Sequence, residues 1–143
     1  MSGKTTKAGA SETAILYAYV IAGSVIGGLG RYAASVFIPP VSAFPLATLF
    51  VNIVGSFIIG FYGTLSGPDG RLFASARQRQ FVMTGCCGGF TTFSSFSLET
   101  VRLLQAGMTH TALLNISISV VTWLLSVWLG YAAAARLNRL KGS

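Results

Sequence analysis

Between Gly85 and Ser97 the chain reads Gly-Cys-Cys-Gly-Gly-Phe-Thr-Thr-Phe-Ser-Ser-Phe-Ser, which sets three glycines, five hydroxyls and three phenylalanines inside an otherwise apolar run. Gly85, Gly88 and Gly89 each weaken a helix by up to about 1 kcal/mol relative to alanine and permit backbone shapes that other residues resist. A helix broken over Gly85–Thr92 is therefore predicted. At membrane depth the freed carbonyls need protein, water or an ion as partner. Converging unwound carbonyls commonly hold a cation such as Na⁺ there. Thr91, Thr92, Ser94, Ser95 and Ser97 add hydroxyls to the same segment. Phe93 and Phe96, three apart, share a face of the half-helix that follows. Such a pair usually packs a core, but a ring edge carries partial positive charge and can also face an anion.

Other polar groups sit in apolar surroundings. Asn52 lies in an uncharged run and must find partners or cost about 1–3 kcal/mol for each unmet group; it reads either as glue between helices or as pore lining. Asn115, Ser119, Thr122 and Ser126 are spaced by four, three and four residues, which puts them on one helical face and favours a wet or polar surface. Arg31 and Glu99 are the charges nearest the membrane interior. Arg31 reads as an electropositive vestibule or a simple anchor, and Glu99 as the start of a polar passage or a capping group.

The elements that position these residues are membrane helices. Residues 15–38 carry one charge, Arg31, and residues 44–65, 81–98 and 111–135 carry none. Each run approaches or exceeds the ~20 residues that a helix needs to cross a hydrocarbon core. With 143 residues, only 9% of them charged, and a mean hydropathy of +0.68, little is left for a soluble domain. The expected fold is an all-α membrane protein of four transmembrane helices, a single domain over residues 14–136. A disordered polar head over residues 1–13 precedes it and a basic tail over 137–143 follows. Ala8-Gly9-Ala10 lies before the first apolar run, which is also too long for a signal-peptide core, so that run stays in the mature chain.

A net charge of +7 would suggest nucleic acid in a soluble protein, but its placement argues otherwise. Lys4, Lys7, Arg71, Arg77, Arg79, Arg136, Arg139 and Lys141 all fall on one side of a four-span chain, with no aromatic interleaved among them. They read as topology signals or contacts to anionic membrane lipids, and place both termini in the cytoplasm. Gly23, Gly27 and Gly30 recur at helical spacing, and Gly55 and Gly60 follow on the second run, as close helix packing or a subunit interface requires. Cys86 and Cys87 are adjacent, a spacing unsuited to an ordinary disulfide, and read as small packing groups. His110 falls in a loop. No hydrolytic or redox constellation is visible, so an enzyme is not expected.

These residues together resemble the small fluoride channel family, Fluc or CrcB. Gly23, Gly27 and Arg31-Tyr32 are similar to its glycine-rich first helix. Thr48-Leu49 to Asn52 and Gly55-Ser56-Phe57 through Gly60 are similar to its second. The run Gly88-Gly89-Phe90-Thr91-Thr92-Phe93-Ser94-Ser95-Phe96-Ser97-Leu98-Glu99 matches its signature almost residue for residue. Ala47 stands where glycine is common, Ser95 where threonine is common, and the polar head is longer than usual. The resemblance implies an antiparallel dual-topology dimer in a bacterial inner membrane, with two fluoride pathways and a central structural Na⁺. It implies that Asn52, Phe93 and Phe96 contact F⁻ and that Thr92, Ser94 and Ser95 join the polar track. Asn115 and Ser119 lie where further pore residues are expected, and backbone carbonyls of Gly88 and Thr91 would hold Na⁺. The implied role is passive fluoride efflux that protects the cell, by a homodimer or a heterodimer with an inverted homologue. Two rivals are a small four-helix multidrug antiporter and a non-transporting assembly protein. The antiporter would need a carboxylate deep in the first helix, where this sequence has none.

Overall fold

The computed structural model describes residues 3–68 and 70–139, and nearly all of them are helical. Helix α1 spans Gly3–Phe37 and ends at Pro39-Pro40, since a residue before proline is driven out of the helical region. Helix α2 spans Leu46–Leu65 and stops at Ser66-Gly67-Pro68, where Ser66 Oγ donates 2.7 Å to the Tyr62 carbonyl. A short helix α3, Ala76–Arg79, opens on a capping box between Ser75 and Gln78. It runs into a π-helical stretch, Gln80–Cys87, and one further turn, α4, Gly88–Phe90. Thr91 and Thr92 then turn extended, and α5 restarts at Phe93–Gln105. Its end is a Schellman motif: Gly107, at φ 74°, allows Met108 N–H to reach the Leu103 carbonyl and Gly107 N–H that of Leu104. Helix α6 spans Thr109–Arg139.

Among the described residues three helices, α1, α2 and α6, are long and apolar enough to cross a membrane. The third apolar run is the interrupted one and supplies no single helix of that length. Two corrections to the sequence reading follow. The helix does not come apart over Gly85–Thr92: Gly85, Gly88 and Gly89 remain helical and only Thr91-Thr92 leave the helix. The glycines act instead through close approach, because a Cβ at Gly85 would lie 2.8 Å from Gly23 Cα and one at Gly89 would lie 2.9 Å from Ser24 Cα. The wide π turn brings this backbone against α1. The head is also not disordered throughout, since α1 begins at Gly3, helped by the good helix formers Lys7, Ala8, Ala10 and Glu12. Of the expected tail, Leu140 to Ser143, with Lys141, lie outside the described residues, and α6 continues through Arg139.

Helix α2 lies mainly along α6, and α1 mainly along the π-helical stretch. Gly130 on α6 sits where a Cβ would come within 2.8 Å of Phe61 N, and Ser126 Oγ donates 2.7 Å to the Ile53 carbonyl. The order of the elements brings the start of α1, the α2–α3 loop and the end of α6 to one end of the bundle. There Arg77 pairs with Glu12 at 2.8 Å, Arg71 N–H donates 3.0 Å to Asn138 Oδ1, and Arg79 donates to the Ser66 carbonyl. The described arginines 71, 77, 79, 136 and 139 therefore collect at that end, as the charge pattern requires.

Candidate functional site

The break at Thr91-Thr92 is held by one side chain. Asn52, buried in the middle of α2, donates through Nδ2 to the Thr92 carbonyl at 2.9 Å and accepts from Thr92 N–H at Oδ1, 2.7 Å away. Its carboxamide oxygen stands in for the helical acceptor that Thr92 N–H has lost, and its N–H adds a second bond to the carbonyl that starts α5. Thr92 in turn caps α5: its Oγ1 accepts from Ser95 N–H, donates to Ser95 Oγ and meets Ser94 Oγ, each at 3.1 Å. Asn52, Thr92, Ser94 and Ser95 thus form one hydrogen-bonded cluster. Asn52 joins α2 to the broken helix, and it also lines a cavity.

Two donors are diverted by this arrangement. A continuous helix would send Thr92 N–H to the Gly88 carbonyl and Ser95 N–H to the Thr91 carbonyl. Here the first goes to Asn52 and the second to Thr92 Oγ1, which leaves those two carbonyls without their helical donors. Gly88 is exposed, and a Cβ there would meet nothing within 4 Å in this subunit. Backbone carbonyls freed in a broken helix are the kind of oxygen ligand that suits a hard monovalent cation.

Thr92 also separates two cavities. One, of about 320 Å³, is lined by residues including Arg31, Tyr32, Thr48, Ser95 and Glu99. The other, of about 230 Å³, is lined by residues including Asn52, Ser56, Thr91, Phe93 and Trp123 and holds no charged group. Thr92 borders both. Arg31 and Glu99 face one chamber, and Glu99 Oε1 accepts from Thr48 Oγ1 at 2.8 Å while its Oε2 is buried without a partner.

The phenylalanines touch, with ring centroids 5.5 Å apart, but differ in burial: Phe96 is 7% exposed and Phe93 72%. Phe96 also meets Trp123 edge to face at 5.0 Å. From Phe96 a buried chain of hydrogen bonds runs into α6. Thr100 Oγ1 donates to the Phe96 carbonyl at 2.8 Å, Asn115 Nδ2 donates to Thr100 Oγ1 at 2.9 Å, and Ser119 Oγ donates to Asn115 Oδ1 at 3.4 Å. The α6 stripe is thereby divided: Asn115, Ser119 and Ser126 are buried, while Thr122 bonds back to the Ile118 and Ser119 carbonyls. Thr100 and Trp123 were not singled out from sequence, and Thr48 was named only within the second-helix resemblance, with no role given to it. Periodicity could have found them, since Thr48 is four residues before Asn52, Thr100 four after Phe96 and Trp123 four after Ser119. Cys86 and Cys87 are free thiols, and His110 is exposed in the first turn of α6 rather than in the expected loop, since that helix already starts at Thr109.

The family described as CrcB-like protein, Camphor Resistance (CrcB), matches residues 18–131. Fluoride-specific ion channel FluC 1 of Rhodopseudomonas palustris (strain BisB18) is 60% identical over 134 residues, covering 92% of this chain and 95% of that protein. FluC 1 of Bradyrhizobium diazoefficiens is 60% identical over 132 residues, covering 92% and 93%. Fluoride-specific ion channel FluC of Opitutus terrae is 52% identical over 130 residues, covering 90% and 98%.

Proposed function

This chain belongs to the CrcB-like family, and from that premise we propose that it is a fluoride-selective channel giving passive F⁻ efflux across a bacterial inner membrane. It is no enzyme; it protects the cell by letting fluoride leave down its gradient. HF enters from acid surroundings, dissociates at cytoplasmic pH and leaves F⁻ behind. The interrupted segment is the third of four crossings, with both termini in the cytoplasm. The observation that carries this reading is Thr92, locked by Asn52 between a chamber holding Arg31 and Glu99 and a cavity without charge. Fluoride is small and strongly hydrated, so a selective path replaces its water with donors and positive ring edges rather than a counter-charge that would trap it. Asn52, Thr92, Ser94, Ser95, Phe93, Phe96, Asn115 and Ser119 supply such groups. A fluoride-selective electrode reading on proteoliposomes tests it: F⁻ efflux with Cl⁻ retained supports the channel, and coupled export of a cationic dye would replace it by an antiporter.

Phe96→Ile and Phe93→Ile are expected to lower fluoride flux at least about tenfold in folded protein, because a branched aliphatic fills space without a quadrupole edge. Wild-type flux in both would leave the rings as packing groups.

The working unit is proposed to be an antiparallel dual-topology homodimer. Its central Na⁺ would be held by the Gly88 and Thr91 carbonyls of both copies, the two carbonyls whose helical donors are diverted. Na⁺ there supplies a fixed charge that neutralises converging carbonyl dipoles. Cross-linked dimers of the purified chain are expected when it is assembled in Na⁺ and not in N-methylglucamine, with flux afterwards indifferent to a Na⁺ gradient. Flux that scales with that gradient would indicate coupled transport. A heterodimer with an inverted homologue is favoured by the arginines gathered at one end, and is the outcome if dimers form only when a second protein is co-expressed.

A further inference from the structure

Among the described residues two buried side-chain polar atoms lack a hydrogen-bond partner, Glu99 Oε2 and Trp123 Nε1. Glu99 already has a place beside Thr48 in the charged chamber. Trp123 has no place in the pathway drawn above, and its unmet group is of the opposite kind, a donor. A buried donor is costly to leave unpaired, so an indole N–H without an acceptor in the protein marks a position that something else must complete.

The surroundings of Trp123 say what that is. It lies on α6 four residues beyond Ser119, which puts it on the polar face of that helix. It lines the uncharged cavity together with Asn52, Ser56, Thr92 and Phe93. Its ring is fixed by the edge-to-face contact with Phe96, at 5.0 Å and 75°. Asn52 Oδ1, in the wall of the same cavity, accepts from Thr92 N–H and not from the indole. A neutral, buried N–H, its ring fixed against Phe96, in a cavity lined by a carboxamide and Phe93, fits a small anion, and it holds one without the trap that a charged residue would create.

We propose that Trp123 is a specificity-determining donor of the pathway, its indole N–H binding F⁻ in the cavity beside Asn52 and Phe93. The inference rests on reading the chain as a fluoride channel. Polar track and ring edges then meet at one residue, since Trp123 joins the rings through Phe96 and the α6 stripe through Ser119.

The chain has two tryptophans, and Trp128 is exposed on the outer surface, so Trp128→Phe leaves Trp123 as the only indole. In that background, reconstituted in nanodiscs with ¹⁵N-labelled tryptophan, the indole N–H resonance is expected to move downfield on titration with NaF and to stay in place with NaCl. Trp123→Phe keeps a ring against Phe96 and removes the donor; it is expected to elute as the wild type does and to pass fluoride about tenfold more slowly. An indole resonance indifferent to F⁻, or a Trp123→Phe channel with the wild-type rate, overturns the inference while wild-type flux upholds the channel. Absence of fluoride flux from the folded wild type would instead remove the channel reading itself.

Discussion

Asn52→Leu is expected to abolish fluoride flux and to destabilise the subunit by about 1.5–4.5 kcal/mol. The magnitude follows from what the carboxamide does. It closes two buried hydrogen bonds, at 2.9 and 2.7 Å, with the carbonyl and N–H of Thr92. Leucine fills much the same volume but leaves Thr92 N–H buried and unmet, at about 1–3 kcal/mol, and removes the second bond to a carbonyl that, as the cap of α5, still accepts from Phe96 N–H, at about 0.5–1.5 kcal/mol. Water entering the cavity would relieve part of that, and would also loosen the cap that Thr92 forms on α5. Asn52→Asp separates the two roles: it keeps an acceptor for Thr92 N–H, loses the donor, and puts negative charge where an anion must pass. It is expected to retain more stability than Asn52→Leu and no more flux. Thermal unfolding in detergent and electrode-monitored efflux measure the two effects. An Asn52→Leu protein with wild-type melting and flux would mean that the break at Thr91-Thr92 holds itself, and that Asn52 is incidental to both fold and passage.

How far such features can be read from a sequence depends on whether the cause is local. The helices were legible because apolar runs without charge, ended by Pro39-Pro40 or Ser66-Gly67-Pro68, act over a few residues each. The polar stripe on α6 was legible because helical period alone puts Asn115 and Ser119 on one face. The location of the break was not. Glycine lowers helix propensity wherever it stands, so Gly85, Gly88 and Gly89 suggested an unwound segment. In the fold Gly85 and Gly89 are spent on contact with Gly23 and Ser24 of α1, and the helix yields only at Thr91-Thr92. What decides between unwinding and close packing is a neighbour some sixty residues away in sequence, to which propensity is blind. Asn52 has the same lesson in reverse. Its isolation in α2 showed that it must have a partner, but not that the partner is the backbone of Thr92. The partnership of Thr48 with Glu99 was equally hidden, because Glu99 stood out as a charge in an apolar run but its partner lies on another helix, 51 residues away. The functional reading nevertheless came through, because the signature between Gly88 and Glu99 carries the break, the cap and the rings in one continuous stretch.

Gly27→Ala is expected to prevent recovery of folded, monodisperse protein, whereas Gly28→Ala, one residue on, is expected to leave the subunit as stable as the wild type or up to about 1 kcal/mol more so. A Cβ at Gly27 would overlap the Cys86 carbonyl and lie 2.8 Å from Phe90 N and 3.0 Å from Cys86 C. All of these are backbone atoms inside a helix, so no side chain can turn aside to make room. The only relief is to move α1 off the π-helical stretch, which forfeits contact along the whole seam and costs well above the about 1–3 kcal/mol of ordinary overpacking. At Gly28 a Cβ would meet nothing within 4 Å, and alanine gains helix propensity there. The seam matters for passage as well as for folding, because α1 carries Arg31 and the helical stretch opposite it leads directly into Thr91-Thr92. Displacing one from the other opens the charged chamber and shifts the broken helix away from Asn52. Size-exclusion elution and melting of the two variants in detergent check the expectation. If Gly27→Ala elutes and melts as the wild type does, the two helices can separate by a methyl group at no cost, and the glycines of α1 serve some end other than close approach.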